Sequence, residues 1–258
     1  MYKNRVLAYI DILGFKSTIE KTMKNINGKE TENVYETQKI DALLDETQWQ
    51  LKYKDCLIDE LIVESKVTSQ FSDTIIISYL KSESIHRMFL DVYFLCTMAL
   101  ERGFILRGAI VYGKVHHTEK KIFGPALVRA HEMESSIAKF PRIIIDKNVL
   151  DMAKENCQGY PESKLEYNEL MKLVLYDSDD IPFINYIDKL DTGVDNSTEA
   201  KKKHLLCLND IIQKMDVYNN NINDKYLWLK NKYNSSLAVL NTECQAPALT
   251  CGAGHSTM

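Results

Sequence analysis

Two runs of strand-forming residues each enclose one carboxylate: Tyr9-Ile10-Asp11-Ile12-Leu13-Gly14-Phe15 and Phe71-Ser72-Asp73-Thr74-Ile75-Ile76-Ile77. An aspartate among Ile, Phe and Tyr is costly to bury unless a cation offsets the lost hydration. One such residue reads as the end of a capped turn. Two of them point to neighbouring strands that hold a divalent metal between them. The plainer alternative is that both cap turns or pair with Lys or Arg.

The pattern around these runs sets the element order. Arg5 to Ile12 reads as a central strand ending at Gly14-Phe15, with helix formers over 16–26, a polar loop over 25–35 and a helix over 36–56. Leu61–Val67 and Phe71–Leu80 read as strands joined by a turn at Thr68-Ser69-Gln70. Ile85, Phe89, Val92, Leu95, Cys96 and Ala99 recur at the helical period, and Gly103 ends that helix. Phe104–Tyr112 is a strand, Gly113–Ile122 a turn and short returning strand, and Gly124-Pro125 opens a helix to about Lys139. Arg142–Asp146 is a strand and 148–156 a short helix. Leu173–Tyr176 and Phe183–Ile187 flank the acidic turn Asp177-Ser178-Asp179-Asp180, and 198–240 is helical. This order predicts an α/β sandwich of ferredoxin-like type with a mixed, mainly antiparallel sheet. The expected divisions are a main domain over 1–190, a helical extension over 196–240 and a disordered tail over 245–258.

Hydrophobic residues make up 45% and charged residues 26%, enough for a full core without staples, and the net charge of −4 argues against a broad nucleic-acid surface. Cys56, Cys96, Cys157, Cys207, Cys244 and Cys251 form no Cys-x-x-Cys pair, which suits reduced thiols. With no secretory pattern at the start and no apolar run of spanning length, the expectation is a cytoplasmic protein with no membrane partner.

Two-metal phosphoryl chemistry needs carboxylates that bridge cations at the reacting oxygens. Asp11-Ile12-Leu13-Gly14-Phe15, Ser72-Asp73, Arg107-Gly108-Ala109-Ile110-Val111-Tyr112-Gly113 and Gly124-Pro125-Ala126-Leu127-Val128-Arg129 occur in that order. Over residues 5–146 the chain resembles the class III nucleotide cyclases. The resemblance implies that Asp11, Asp73 and the Ile12 carbonyl bind two divalent cations, Mn²⁺ or Mg²⁺. It implies that backbone amides near Gly14 and Phe15 hold phosphate, and that the enzyme is a homodimer with shared sites.

The departures from that family are as informative. Its transition-state Asn and Arg fall at Val128 and Glu132, so Arg107, Arg129 or a lysine must replace them. Its purine-reading positions fall at Ser69 and Lys121, which disfavours a purine. Together with Phe140-Pro141-Arg142-Ile143 and Phe183-Ile184-Asn185-Tyr186, the pattern to about residue 190 looks like the pyrimidine cyclases of the Pycsar anti-phage system. That branch makes cyclic UMP or cyclic CMP, which activates a separate effector. The resemblance therefore implies conversion of UTP or CTP, with no nucleic-acid partner. The alternatives are a purine cyclase, a degenerate cyclase-like nucleotide sensor and a purely structural domain.

Three further features have plain readings. His116-His117 near Lys120-Lys121 reads as a basic hairpin tip, Asp177 to Asp180 as an acidic β-turn, and Lys201-Lys202-Lys203-His204 as a solvated helix face.

Overall fold

The sheet is organised around β1 (Lys3–Ile12), whose positions Val6, Ala8, Ile10 and Ile12 are buried on one face while Leu7 is buried on the other. That is the near-continuous apolar run of a strand covered on both sides. The structure is a computed structural model that describes residues 1–53, 65–80, 85–156, 161–190, 197–218 and 224–245. From β1 the chain passes through α1 (Phe15–Lys21), β2 (Met23–Ile26), β3 (Lys29–Glu32) and α2 (Val34–Tyr53). It then forms β4 (Val67–Phe71), β5 (Thr74–Leu80), α3 (Ile85–Glu101) and β6 (Leu106–Thr118). β5 and β6 flank β1 antiparallel and β4 pairs antiparallel with β5, giving the spatial order β4-β5-β1-β6. This is the βαββαβ frame of the ferredoxin-like sandwich.

Beyond it come β7 (Lys121–Phe123), α4 (Pro125–Ser136), β8 (Ile143–Ile145), α5 (Lys147–Asn156), α6 (Pro161–Lys172), β9 (Val174–Tyr176) and β10 (Pro182–Ile184). β8 runs parallel to β6, which makes the sheet mixed. Two long helices, α7 (Thr198–Tyr218) and α8 (Asp224–Gln245), follow. No described helix is long and apolar enough to cross a membrane.

α3 buries Ile85, Met88, Phe89, Val92, Leu95 and Cys96 against the Val6–Ile12 face, as its period predicts. On the opposite face α4 lays Ala126 and Ala130 over Leu7, Val111 and Val115. At Gly108 a β-carbon would sit 2.3 Å from the Tyr9 carbonyl oxygen, so only glycine allows β6 to approach β1 this closely.

The C-terminal helices join the main core through Leu208, Ile211, Ile212, Trp228 and Leu229. The anchor of α8 is built on Arg142, which has no exposed surface. It pairs with Asp177 at 2.8 Å and with Asp179, and lies over the rings of Phe140 and Phe183. From α8, the Trp228 indole N–H donates to Asp177, the Lys232 ammonium lies 3.1 Å from it, and the Trp228 ring stacks on Phe140. The Asp177–Asp180 turn is therefore a counter-ion for a buried arginine rather than only a solvated turn. A buried guanidinium has to be paired, and two carboxylates and two rings do so here.

The structure moves several expected boundaries. Thr68-Ser69-Gln70 belongs to β4, and the turn is Ser72-Asp73. The helix expected over 16–26 stops at Lys21, and the expected loop contains the β2–β3 hairpin. Helix α6 has no counterpart in the expected element order. β6 continues through Gly113 to Thr118, so His116 and His117 lie in the strand, and His117 is buried. His204, expected on a solvated face, is buried and bonds to the Tyr186 carbonyl at 2.9 Å. The tail expected over 245–258 lies outside the described residues from 246 onward, as do Leu61 to Glu64 of the expected strand.

Candidate functional site

β1 ends at a turn in which Gly14 adopts φ 77°, a left-handed conformation that glycine reaches without a steric penalty. The Gly14 carbonyl then accepts from the Thr18 N–H at 3.1 Å and its hydroxyl at 3.2 Å. One strand over, Ser72 and Asp73 form the loop between Phe71 and Thr74, with Ser72 held at φ 55°. The Ile12 N–H donates to the Asp73 carbonyl at 3.1 Å, and the Leu13 N–H to the Ile105 carbonyl at 2.9 Å. These bonds tie the end of β1 to both neighbouring connections. Asp11 and Asp73 consequently meet at one edge of the sheet, close enough for their carboxyls to hydrogen-bond.

The electrostatics of the pair follow from that meeting. Burial pushes the Asp11 carboxyl up to about 6, the negative charges of Asp73 and Glu134 add to the shift, and Arg107 opposes it. Arg107 faces Asp11 directly across the β1–β6 pair. Its Nη2 lies 3.9 Å from the Asp11 carboxylate and is ion-paired with Glu134. Glu134 is the site residue that sequence reasoning misses. Its signal is the spacing Ala126, Ala130, Glu134, one buried stripe of α4 that carries a carboxylate where apolar residues belong.

The other expected site residues are distributed differently. Ile12 is the buried end of β1, and the Phe15 ring is in the core. Ser69 lies on β4 and pairs with Ile76, which in turn pairs with Tyr9, two residues before Asp11. Parity along the strands puts Ser69 and Asp11 on the same sheet face. Lys121 is exposed at the far end of the β6–β7 hairpin, opposite the end of β6 that carries Arg107. Arg129 is paired at 2.6 Å with the buried Asp146, just past β8. Within this chain, then, Asp11, Asp73, Arg107 and Glu134 come together, whereas Lys121 and Arg129 do not join them. Val128 is 57% exposed and Glu132 is also exposed on the outer side of α4.

Among the described residues no group of three or more His, Cys, Asp or Glu stands ready to hold a metal ion. The Asp11–Asp73 pair still fits one kind of cation. Mg²⁺ and Mn²⁺ favour oxygen donors, and Mg²⁺ commonly takes one or two carboxylates and completes its shell with phosphate and water. Burial and, after it, the like charges of Asp73 and Glu134 raise Asp11, and a divalent cation would offset both.

No family model matches the chain, and no curated protein does. Solved structures similar to it include a bacterial light-regulated adenylyl cyclase, at 14% identity and a TM-score of 0.41, over 62% of this chain and 46% of that one. Another is a class III adenylyl cyclase-like ATP-binding protein from Pseudomonas aeruginosa, at 16% identity and a TM-score of 0.42, over 66% of this chain and 40% of that one. The match thus spans less than half of either structure's chain.

Proposed function

We propose that this protein is a metal-dependent pyrimidine nucleotide cyclase of the class III type. It converts UTP or CTP to the 3′,5′-cyclic monophosphate and pyrophosphate. It works as a homodimer with shared sites, and its product activates a separate effector in anti-phage defence. The observation that carries this reading is the meeting of Asp11 and Asp73 at adjacent strand ends, with Asp11 raised by burial and its like-charged neighbours. The order of the sequence motifs along a βαββαβ frame favours cyclisation over other two-carboxylate chemistry.

In the reaction the ribose 3′-hydroxyl loses its proton and attacks the α-phosphorus in line, the bond to the bridging oxygen breaks, and pyrophosphate leaves. Asp11 and Asp73, with the Ile12 carbonyl, are the residues assigned to Mn²⁺ or Mg²⁺. Such cations would supply charge neutralisation at the triphosphate and acidify the attacking hydroxyl. Arg107, steadied by Glu134, limits the charge the site accumulates before substrate enters. The Gly14-Phe15 turn is assigned to phosphate oxygens, and Arg129, Ser69 and Lys121 to substrate contacts that the partner copy completes.

A nucleotide-binding sensor without turnover is the second reading. It is favoured by the ion pairs Arg107–Glu134 and Arg129–Asp146, which occupy the two arginines among the candidate replacements for the family's catalytic arginine. Incubating the protein with each of the four NTPs and Mn²⁺, with mass spectrometry of the products, separates the two. Cyclic UMP or cyclic CMP that disappears in Asp73→Ala supports the cyclase. Bound nucleotide with no cyclic product supports the sensor, and cyclic AMP or GMP overturns the pyrimidine assignment.

A further inference from the structure

The last residues of β6 reach across the sheet, so that His117 contacts side chains of β4 and β5. Its Nδ1 lies 2.7 Å from the Ser78 hydroxyl and its Nε2 2.9 Å from the Ser69 hydroxyl. On the far side of Ser78, the Arg5 guanidinium donates to the Ser78 hydroxyl at 3.3 Å and to the Ser65 carbonyl at 2.8 Å. Ser78 has no exposed surface and His117 is 5% exposed.

Counting protons gives this chain a direction. Arg5 can only donate, so the Ser78 oxygen accepts from it. The Ser78 hydrogen then needs an acceptor, because a wholly buried hydroxyl with an unpaired proton is costly. Among the described residues the acceptor within reach is His117 Nδ1. A ring that accepts at Nδ1 carries its proton on Nε2 and donates it to Ser69. Burial and the neighbouring Arg5 charge keep the imidazole neutral, with its pKa lowered to about 4. Ser69 thus receives a hydrogen bond from His117, which fills one of its two acceptor positions and leaves its hydroxyl proton to be donated from a half-buried position.

That hydroxyl shares a sheet face with Asp11. It is two strands across and two residues along, roughly 12 Å away by sheet geometry, comparable to the reach of a nucleotide from α-phosphate to base. In a dimer with shared sites the Ser69 facing a given nucleotide belongs to one copy or the other. The relay is internal to each chain, so its direction is the same in both cases.

We infer that the relay Arg5–Ser78–His117 biases Ser69 toward donating a hydrogen bond to the base, so that the site reads a carbonyl at pyrimidine position 4 and takes UTP in preference to CTP. Uracil presents an acceptor oxygen there, whereas cytosine presents an amino group whose hydrogens oppose the Ser69 proton. His117 is a positioning residue and Ser69 the contact. The inference rests on the cyclase reading above and adds the choice of base to it.

The experiment compares kcat/KM for UTP and CTP, with Mn²⁺, in the full-length wild type and in Ser69→Ala, His117→Leu and His117→Gln. The wild type favours UTP. Ser69→Ala and His117→Leu lower the UTP/CTP ratio by about threefold to tenfold, the worth of one hydrogen bond. His117→Gln, which can accept and donate, retains most of the preference. As a check independent of variant folding, wild type turns over 4-thio-UTP worse than UTP by a similar factor but handles 2-thio-UTP like UTP, because sulfur accepts hydrogen bonds poorly. A wild-type preference for CTP overturns the inference alone, as does turnover with an unchanged ratio in Ser69→Ala or equal use of 4-thio-UTP. Absence of cyclic product from every nucleotide overturns the cyclase reading and this inference with it.

Discussion

An aspartate held at about 6 keeps a proton over a range in which the unfolded chain, near 3.8, has already released it. Between those values the folded state binds more protons, so the Asp11 contribution to stability is fully present below about pH 4 and is lost as the pH rises through 6. Asp11→Asn removes that loss. With the side chain 25% exposed and partly screened, the gain at pH 8 should be about 1–2 kcal/mol in denaturant melts, and negligible at pH 3.5. The same variant should lose cyclase turnover. His117 has the opposite sign: its folded value of about 4 lies below the unfolded 6.5, so its share of stability is present above 6.5 and lost as the pH falls toward 4. In Asp11→Asn this acid limb should stand out because the opposing contribution is gone, and His117→Gln should flatten it.

At the level of elements, two close contacts set how the strands and helices lie. A methyl group on Gly108 would meet the Tyr9 carbonyl, so Gly108→Ala should cost about 3 kcal/mol or more and separate β6 from β1, read as a lowered unfolding midpoint. Arg142→Leu leaves Asp177 and Asp179 without their buried partner and should cost about 3–5 kcal/mol by the same measurement. These contacts also explain what can be read from the sequence. β1, β5 and α3 are legible because each buries a periodic apolar set, and Asp11 and Asp73 stand out by interrupting one. β4 escapes because an edge strand with polar Thr68, Ser69 and Gln70 has the composition of a turn. α6 escapes because its sequence, PESKLEYNELMK, is polar through its first turns, although Pro161 at the first position is a usable start signal. The Arg142 clamp and the His117 relay are held by hydrogen bonds between residues 35 to 73 apart in sequence, and pairing at that range leaves no local pattern.

Across the whole molecule, the sheet face under α3 is the main core, while the opposite face is covered by α4 and carries the candidate site near its edge. A ligand that bridges Asp11 and Asp73 should therefore tie the β4–β5 loop to β1 and stabilise the entire fold. With Mn²⁺ and an α,β-methylene analogue of UTP at about a hundred times their dissociation constant, the gain should be about 2.7 kcal/mol, several degrees in melting temperature, and absent in Asp73→Ala. The Arg142 anchor has another consequence. The chain contains two tryptophans, Trp49 and Trp228, and the second is enclosed by Phe140, Phe183 and the Asp177 carboxylate. In Trp49→Phe the remaining indole is the one seated on the arginine clamp, out of reach of iodide in solution. Its fluorescence then reports, without any attached dye, whether the last helix is docked: shielded while α8 holds its place, quenched once it lifts away.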